Sequence, residues 1–363
     1  MVTNWQFNHP VKVVSQPLDA FLATLDGHNS VLLVTTAGGR RRGLTARVAT
    51  RLTCSNLHIF DRVSVNPDIN DLNQAISELR QANYDLILAI GGGSVIDTAK
   101  TFAASLRLPD EQPLSTLLID KFAGETHESI PLCAVPTTAG SGSEVTQFAT
   151  VWNHVKGLKY SLEGRHVFPA TAVLDPELTL TLPAEDTMYT GLDAISHAIE
   201  SLWNIHANPL SIMFAETALD HAAASFSEVM ANPASLQGRM GMQLAALFGG
   251  YAISITRTAL AHAISYPLTA RFGIPHGLAC SFTLPAIANL VMAANILPER
   301  QRQKLAAAMQ LLQILDLPQK MARFTSRKEI LQLMPEMFNP SRAANFSLAA
   351  DATMLESILA ASI

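Results

Sequence analysis

The chain runs to 363 residues, 48% of them hydrophobic and 15% charged, with 25 Lys and Arg against 30 Asp and Glu for a net charge of −5. This length suits two domains, and this composition excludes a disordered chain. The mild acidity excludes a general attraction to nucleic acid or anionic membranes.

Residues 1–10 lack the basic and apolar regions of a signal peptide, and no long uninterrupted apolar run marks a membrane span. The expectation is a soluble, cytoplasmic protein. Residues 30–36 (SVLLVTT) and 56–65 (NLHIFDRVSV) are compact β-rich runs. Residues 85–90 (DLILAI) form a strand that leads into three glycines, and a helical stretch follows over 94–106. Residues 130–135 give a further strand before a small-residue turn, and residues 171–174 (TAVL) a last one before Asp175-Pro176. Strands alternating with helices predict a parallel sheet covered on both faces.

The character changes after Pro183, where Ala, Leu, Met and Ile recur at helical spacing. Residues 209–231, 237–264 and 297–315 are each predicted to be one helix; the first has Pro at its opening position and stops before Asn232-Pro233. The pattern predicts an α/β domain over residues 1–182 followed by an all-α domain over 183–363. Cys54, Cys133 and Cys280 are odd in number and far apart, so they read as free core thiols and not as a disulfide framework.

Residues 89–100 (AIGGGSVIDTAK) are a strand, a bare backbone turn and a helix. Glycine lets backbone N–H groups approach a phosphate, and the helix N-terminus adds partial positive charge, with Ser94 placed to cap it. The spacing is G-G-G-S and not the usual G-x-G-x-x-G, so a simple tight turn stands as the plain alternative. A second small-residue segment, 136–146 (PTTAGSGSEVT), follows a predicted strand at the carboxyl edge of the sheet, where α/β ligands bind. Its hydroxyls suit sugar and phosphate oxygens, and equally an N-capping turn, which Ser143 serves in either case.

Asp193 and His197 lie four residues apart in a helical context, roughly one turn, which puts both side chains on one face. A carboxylate and an imidazole so placed can share one divalent ion. His262 falls in a helix-like segment, and His276 in Pro275-His276-Gly277, which reads as a rigid exposed turn. Each histidine alone is more often a structural residue than a ligand, and spacing does not show that the four converge. His9, His28, His58, His127, His154, His166, His206 and His221 show no such grouping and read as surface or core residues.

In order and spacing, residues 91–100, 136–146, 191–200 and 262–277 resemble the iron-containing (group III) alcohol dehydrogenases, over most of the chain. The resemblance implies a dinucleotide-binding N-terminal domain and a helical C-terminal domain, with Asp193, His197, His262 and His276 as metal ligands and catalytic residues. Fe²⁺ is the usual metal of the family and Zn²⁺ is common. It implies pyrophosphate contact by Gly92, Gly93 and Ser94, nicotinamide or ribose contact by Asp97, Thr137, Thr138 and Ser143, and a cofactor contact by Lys159; Gly91, Thr36 and Arg40 are expected to bind the cofactor beside them. Thr146, Phe148, Thr150 and Ile253 would line the substrate pocket. The expected chemistry is Lewis-acid activation of the substrate oxygen with hydride exchange at the nicotinamide.

Two departures stand out. Many relatives carry an acid after the first strand that accepts the ribose hydroxyls and repels a 2′-phosphate. Residues 34–42 (VTTAGGRRR) have no acid and three arginines. The expectation is NADPH use, alone or alongside NADH, with a solvated basic turn as the plain alternative. Tyr266 stands where many relatives have a histidine thought to relay a proton; tyrosine titrates near pH 10, which puts that relay in doubt.

Residues 148–152 (FATVW) and 159–162 (KYSL) look like those of phosphonoacetaldehyde reductases, a subgroup that reduces phosphonoacetaldehyde to 2-hydroxyethylphosphonate. An anionic head group would take Lys159, Arg165 or Arg342 (in residues 339–342) as its cations, unless these are plain surface charges. The rival readings are a general short-chain alcohol dehydrogenase, a metal-free maleylacetate reductase-like enzyme, a dehydroquinate synthase-like lyase and a non-catalytic binding protein. The expected partners are a small alcohol or aldehyde and a second copy of the chain in a homodimer, with no nucleic acid and no membrane.

Overall fold

The computed structural model describes residues 7–109, 113–118, 128–338 and 340–363, so residues 1–6, His127 and residue 339 lie outside the described residues. The chain forms two compact units: residues 1–138 with 143–179, and residues 139–142 with 180–363.

The first unit is built on β1 (Lys12–Ser15), β2 (Ser30–Val34), β3 (Asn56–Phe60), β4 (Leu86–Gly91), β5 (Leu132–Pro136) and β8 (Thr171–Leu174). All pair in parallel, in the order β1-β8-β5-β4-β2-β3. Alternate residues feed opposite faces, as the two-residue period of a strand requires. Leu32, Val34, Ile87, Ala89, Leu132 and Ala134 pack against Ile96 and Phe102 of the helix Gly93–Ser105. Val31, Leu33, Leu88, Ile90 and Val135 pack with Leu18, Phe21, Leu22 and Val48 on the other face. A sheet covered on both faces explains why β4 and β5 are buried along their whole length.

Two features of this unit differ from the sequence expectation. The apolar run at 56–65 is a strand only to Phe60; Arg62 keeps a single bridge to Thr36, and the chain then turns at Asn66, whose φ is 55°. Residues 148–163 form an antiparallel hairpin, β6 (Phe148–Asn153) and β7 (Leu158–Glu163), with Val151 opposite Tyr160. Gly157, at φ 63°, supplies the left-handed residue in its connection.

The second unit is helical among its described residues. Its central helix, Ala184–Leu202, is buried from Thr187 to Leu202 except at Thr190. It packs against helices Pro209–Ala231, Leu236–Thr256 and His276–Ser281. A helix buried all round can carry polar side chains only if they find partners inside the protein. Asp193, His197 and Glu200 are therefore conspicuous on it.

The single helix expected over 237–264 is two, Leu236–Thr256 and Leu260–Phe272, bent by 107°. The break lies at Arg257, which takes φ 62°. It is held from the end of the central helix: Ser201 Oγ meets Thr256 Oγ1 at 3.0 Å, and Asn204 donates to the Arg257 carbonyl at 3.2 Å. His276, expected in an exposed turn, is instead the first residue of helix His276–Ser281, which follows Pro275, whose carbonyl accepts from Leu278 N and Ala279 N at 3.0 Å each. Residues 276–294 are long and apolar enough to cross a membrane by length and composition, yet 61% of that stretch is buried inside the protein, as befits core helices.

Candidate metal centre and dinucleotide loop

Steps of four and three residues place Asp193, His197 and Glu200 along one face of the central helix. Asp193 Oδ1 lies 3.5 Å from His197 Nε2, 3.5 Å from His262 Nε2 and 3.9 Å from His276 Nε2. The His197 and His262 rings stack at 4.8 Å, and the His276 ring meets His262 edge-on at 5.3 Å. The four residues singled out in the sequence thus converge on one carboxylate oxygen. Donors sharing one tetrahedral ion at bond lengths of about 2.0–2.2 Å lie roughly 3–4 Å apart, so the cluster has the dimensions of a metal site.

Glycine makes the convergence sterically possible. A Cβ on Gly277 would stand 1.7 Å from the Tyr189 carbonyl oxygen, so only glycine lets the segment carrying His276 lie against the central helix. Asp193, His197 and His262 are buried, whereas the His276 side chain is 31% exposed, which leaves the cluster open on that side.

His262 is gripped from behind. Its Nδ1 lies 2.7 Å from Glu200 Oε2, which also accepts from the Ala259 amide at 2.8 Å, while Glu200 Oε1 accepts from the Ala261 amide at 2.6 Å. The opposite nitrogen, Nε2, is buried with no hydrogen-bond partner. A buried polar atom left so costs about 1–3 kcal/mol, and a cation between it and Asp193 would satisfy it. This donor set, one carboxylate and three imidazoles, fits a divalent transition metal.

The electrostatics agree. Burial alone would raise the Asp193 pKa, but the imidazoles of His197, His262 and His276 outweigh it and hold the carboxyl well below its ordinary range. Burial alone would lower that of His262, yet Glu200 and Asp193 on either side raise it to about 9. Cys280, read from the sequence as an ordinary core thiol, belongs to this neighbourhood. Its Sγ lies 3.7 Å from Asp193 Oδ1, and its donor atom groups with those of Asp193, His262 and His276 within 4.8 Å. Burial first and Asp193 second hold its thiol pKa well above the ordinary value.

In the first unit β4 runs straight into the glycine turn. A Cβ on Gly92 would meet the Thr138 side chain at 3.1 Å, and Thr137 N donates to Gly91 O at 3.0 Å, so the two small-residue loops lie against each other. Gly92, and not Ser94, is the cap of helix Gly93–Ser105, and no side chain caps it. Ser94 falls one residue inside the helix because β4 extends to Gly91; its hydroxyl accepts from Asn66 N at 3.3 Å. An uncapped helix start behind a glycine turn leaves main-chain donors for an anion, which suits a dinucleotide pyrophosphate.

Asp97 and Ser143 face each other, Ser143 Oγ donating to Asp97 Oδ1 at 2.6 Å while Thr150 N donates to Oδ2 at 2.9 Å. Lys100, which the sequence reading passed over, lies fully buried and donates to Thr146 O, Thr146 Oγ1 and Phe148 O at 2.8, 3.1 and 2.7 Å. Asp97 and Lys100 thereby fasten Thr146, Phe148 and Thr150 to the helix that starts at the glycine turn. Lys159 sits over the Trp152 ring at 5.9 Å. Thr36 caps the short helix Ala37–Arg41, accepting from Gly39 N, and Arg40 pairs with Asp61 at 3.0 Å. The remaining pocket residue expected, Ile253, is buried in helix Leu236–Thr256 of the second unit. Tyr266 stacks on His276 at 6.2 Å, with its hydroxyl 3.5 Å from Thr258 Oγ1.

Residues 12–176 match the model of iron-containing alcohol dehydrogenases, and residues 187–353 match that of the C-terminal part of the same family. The chain belongs to the iron-containing alcohol dehydrogenase family. Relatives within it include a phosphonoacetaldehyde reductase of Streptomyces viridochromogenes, 40% identical over 57% of this chain and 53% of that protein. A probable alcohol dehydrogenase of Escherichia coli is 34% identical over 68% of this chain and 62% of its own length. A sulfoacetaldehyde reductase of Bilophila wadsworthia is 31% identical over 75% and 69%. The matched stretch therefore spans less than two thirds of the first two relatives. Among solved structures, sulfoacetaldehyde reductase from Bifidobacterium kashiwanohense in complex with NAD⁺ superposes with a TM-score of 0.84 at 25% identity, covering 99% of each chain. The alcohol dehydrogenase of Oenococcus oeni shares the fold, with a TM-score of 0.85 at 23% identity over 99% of this chain and 100% of that one.

Proposed function

We propose that the protein is a metal-dependent, nicotinamide-linked aldehyde reductase, running aldehyde + NAD(P)H + H⁺ to alcohol + NAD(P)⁺ and its reverse. The observation that carries this reading is the convergence of three imidazole Nε2 atoms on Asp193 Oδ1. Asp193, His197, His262 and His276 would hold the metal, Fe²⁺ or Zn²⁺. The α/β domain, residues 1–182, would hold the dinucleotide along Thr36, Arg40, Gly91–Ser94, Asp97, Thr137, Thr138, Ser143 and Lys159, and the helical domain, 183–363, the metal. When bound, the metal supplies Lewis acidity to the substrate oxygen and the nicotinamide supplies or accepts hydride. The chain's own part is placement and charge. Asp193 would bring the negative charge that a dication needs inside a buried site, and Glu200, 2.7 Å from His262 Nδ1, would keep a proton there and leave Nε2 to the metal. His276 lies on the more exposed side of the cluster, where a substrate would enter.

The substrate class we favour is a short aldehyde bearing an anionic head. Two relatives named above act on phosphonoacetaldehyde and sulfoacetaldehyde, and both are short aldehydes with an acidic group. Of the residues family likeness assigns to the substrate, Thr146, Phe148 and Thr150 belong to the first unit, with Lys159 and Arg165 as candidate counter-charges, and Ile253 and Arg342 belong to the second. NADPH use, alone or beside NADH, is favoured by the Arg40–Arg42 run, although Asp61 offsets part of that charge. On family likeness the enzyme would be a cytoplasmic homodimer. The test is elemental analysis of freshly purified protein together with nicotinamide absorbance assays. We expect close to one metal per chain, loss of activity on chelation, and higher kcat/KM for phosphonoacetaldehyde or sulfoacetaldehyde than for acetaldehyde or propionaldehyde. A metal-free active enzyme would reject the mechanism, and no preference for anionic aldehydes would reject the substrate class.

A further inference from the structure

We propose that Glu200 is a positioning residue for the metal, acting through His262 and through the helix that carries it. This rests on the reading of Asp193, His197, His262 and His276 as a metal site. Glu200 is fully buried, and each of its contacts serves the same end. Helix Leu260–Phe272 begins after Ala259, which offers no side chain to cap it. The first amides of a helix need acceptors, and Glu200, reaching across from the central helix, accepts from Ala259 N at 2.8 Å and Ala261 N at 2.6 Å. The same carboxylate can accept a hydrogen bond from the Nδ1–H of His262 at 2.7 Å, and His262 is the third residue of that helix. One buried side chain thus sets where the helix begins, how the imidazole is turned, and which of its nitrogens carries the proton.

The consequence is specific. Once its Nε2 proton is displaced, an imidazole that donates through Nδ1 presents its Nε2 lone pair, and here Nε2 is buried, without a hydrogen-bond partner, and 3.5 Å from Asp193 Oδ1. Glu200 stands three residues after His197 and seven after Asp193 on the central helix, so one rigid element carries two metal ligands and the group that orients a third. An amide at position 200 cannot reproduce this. It has one acceptor atom, and its NH₂ must face either the Ala261 N–H or His262 Nδ1.

The test uses the full-length protein, stripped and reloaded with Co²⁺, its affinity read by competition against a chromophoric chelator and its coordination by the visible Co²⁺ spectrum. Glu200→Gln should weaken Co²⁺ binding by about 10–100-fold and alter the spectrum, with Glu200→Asp falling between it and wild type. The decisive readout is a double-mutant cycle. In a His262→Ala background, Glu200→Gln should change affinity by less than about threefold, because the residue through which it acts has gone. Unchanged affinity in Glu200→Gln, or an equal loss in both backgrounds, would overturn the proposal and leave the metal site standing. A wild-type protein that takes up no Co²⁺ would instead overturn the metal site itself, and this inference with it. Should the Glu200 variants not fold, ¹⁵N spectra of histidine-labelled, Zn²⁺-loaded wild type decide the matter. His262 must show a protonated Nδ1 and a metal-bound Nε2, and the reverse assignment refutes the proposal.

Discussion

Replacing Lys100 with methionine tests whether the buried network that fastens the pocket residues to the glycine-loop helix is held by the hydrogen bonds of its amino group. Lys100 Nζ donates three hydrogen bonds, to Thr146 O, Thr146 Oγ1 and Phe148 O, with no exposure to water. Asp97 and Glu144 are the acids whose charge acts on it, and burial raises the Glu144 carboxyl to about 7. Methionine keeps the volume but removes every donor, leaving three acceptors and two buried acids without their cation. Removing one partner from a buried ionic group costs about 3–5 kcal/mol. At about 2–4 °C per kcal/mol for a unit of this size, the first unit's Tm should fall by roughly 6–20 °C. The pH dependence supplies a second signature. Burial lowers the Lys100 pKa to about 8, with Asp97 and Glu144 only partly opposing it. Between that value and the ordinary one of about 10.4, the unfolded chain binds the extra proton, so this lysine's contribution makes the wild type gain stability as pH rises, whereas Lys100→Met does not. The assay is thermal and urea unfolding of both proteins across pH 7–11, with hydrogen exchange to locate the loss at residues 143–150. A Tm within about 2 °C of wild type and an identical pH profile would refute the reasoning.

Metal uptake should depend on pH in a definite direction: because His262 is raised to about 9, binding through Nε2 must displace a proton below that pH. Co²⁺ affinity should weaken about tenfold per unit from this group as pH falls, and a flat profile between pH 6 and 9 would contradict it. Asp61→Asn removes the carboxylate paired with Arg40. The ratio of kcat/KM for NADPH over NADH should rise by about two- to fivefold, the scale of one exposed ion pair, and an unchanged ratio would mean the arginine turn does not meet the cofactor. Gly277→Ala should cost more than the ~1–3 kcal/mol of ordinary overpacking, because the new Cβ would lie 1.7 Å from the Tyr189 carbonyl oxygen. Thermal unfolding checks the stability, and lost Co²⁺ uptake should accompany it because His276 is the adjacent residue.

What the sequence made legible was whatever is periodic or local. The strands β4, β5 and β8 stand out as short apolar runs punctuated by Gly or Pro, because strands buried on both faces must be continuously apolar. Helix Pro209–Ala231 announces both its ends, with Pro209 opening it and Asn232-Pro233 closing it. Where the reading failed, a tertiary contact had overridden a local pattern. Residues 237–264 keep a helical pattern through Arg257, and nothing local announces the bend of 107°. The signal lies in Glu200, Ser201 and Asn204 of another helix. The β6–β7 hairpin was missed because its connection, from His154 to Gly157, lacks the tight Asn-Gly or Asp-Gly turn that marks short hairpins.

The candidate site divides along the same line. Asp193 and His197 could be paired from spacing alone because one helix places them, and the same arithmetic extends to Glu200 at the next step on that face. A buried acid on the stripe of two ligands is itself a signal, since an unpartnered carboxylate in such a helix would be too costly to keep. Its partner could not be read off, because Glu200 and His262 are 62 residues apart and meet only through the bend between two helices. The same holds for Cys280, whose sulfur reaches Asp193 across 87 residues of chain. Sequence spacing therefore yields the half of a metal centre that one helix carries. The other half, and the residue that orients it, follow from how that helix is packed, which makes the Glu200 cycle the sharper test of the centre than removal of any single ligand.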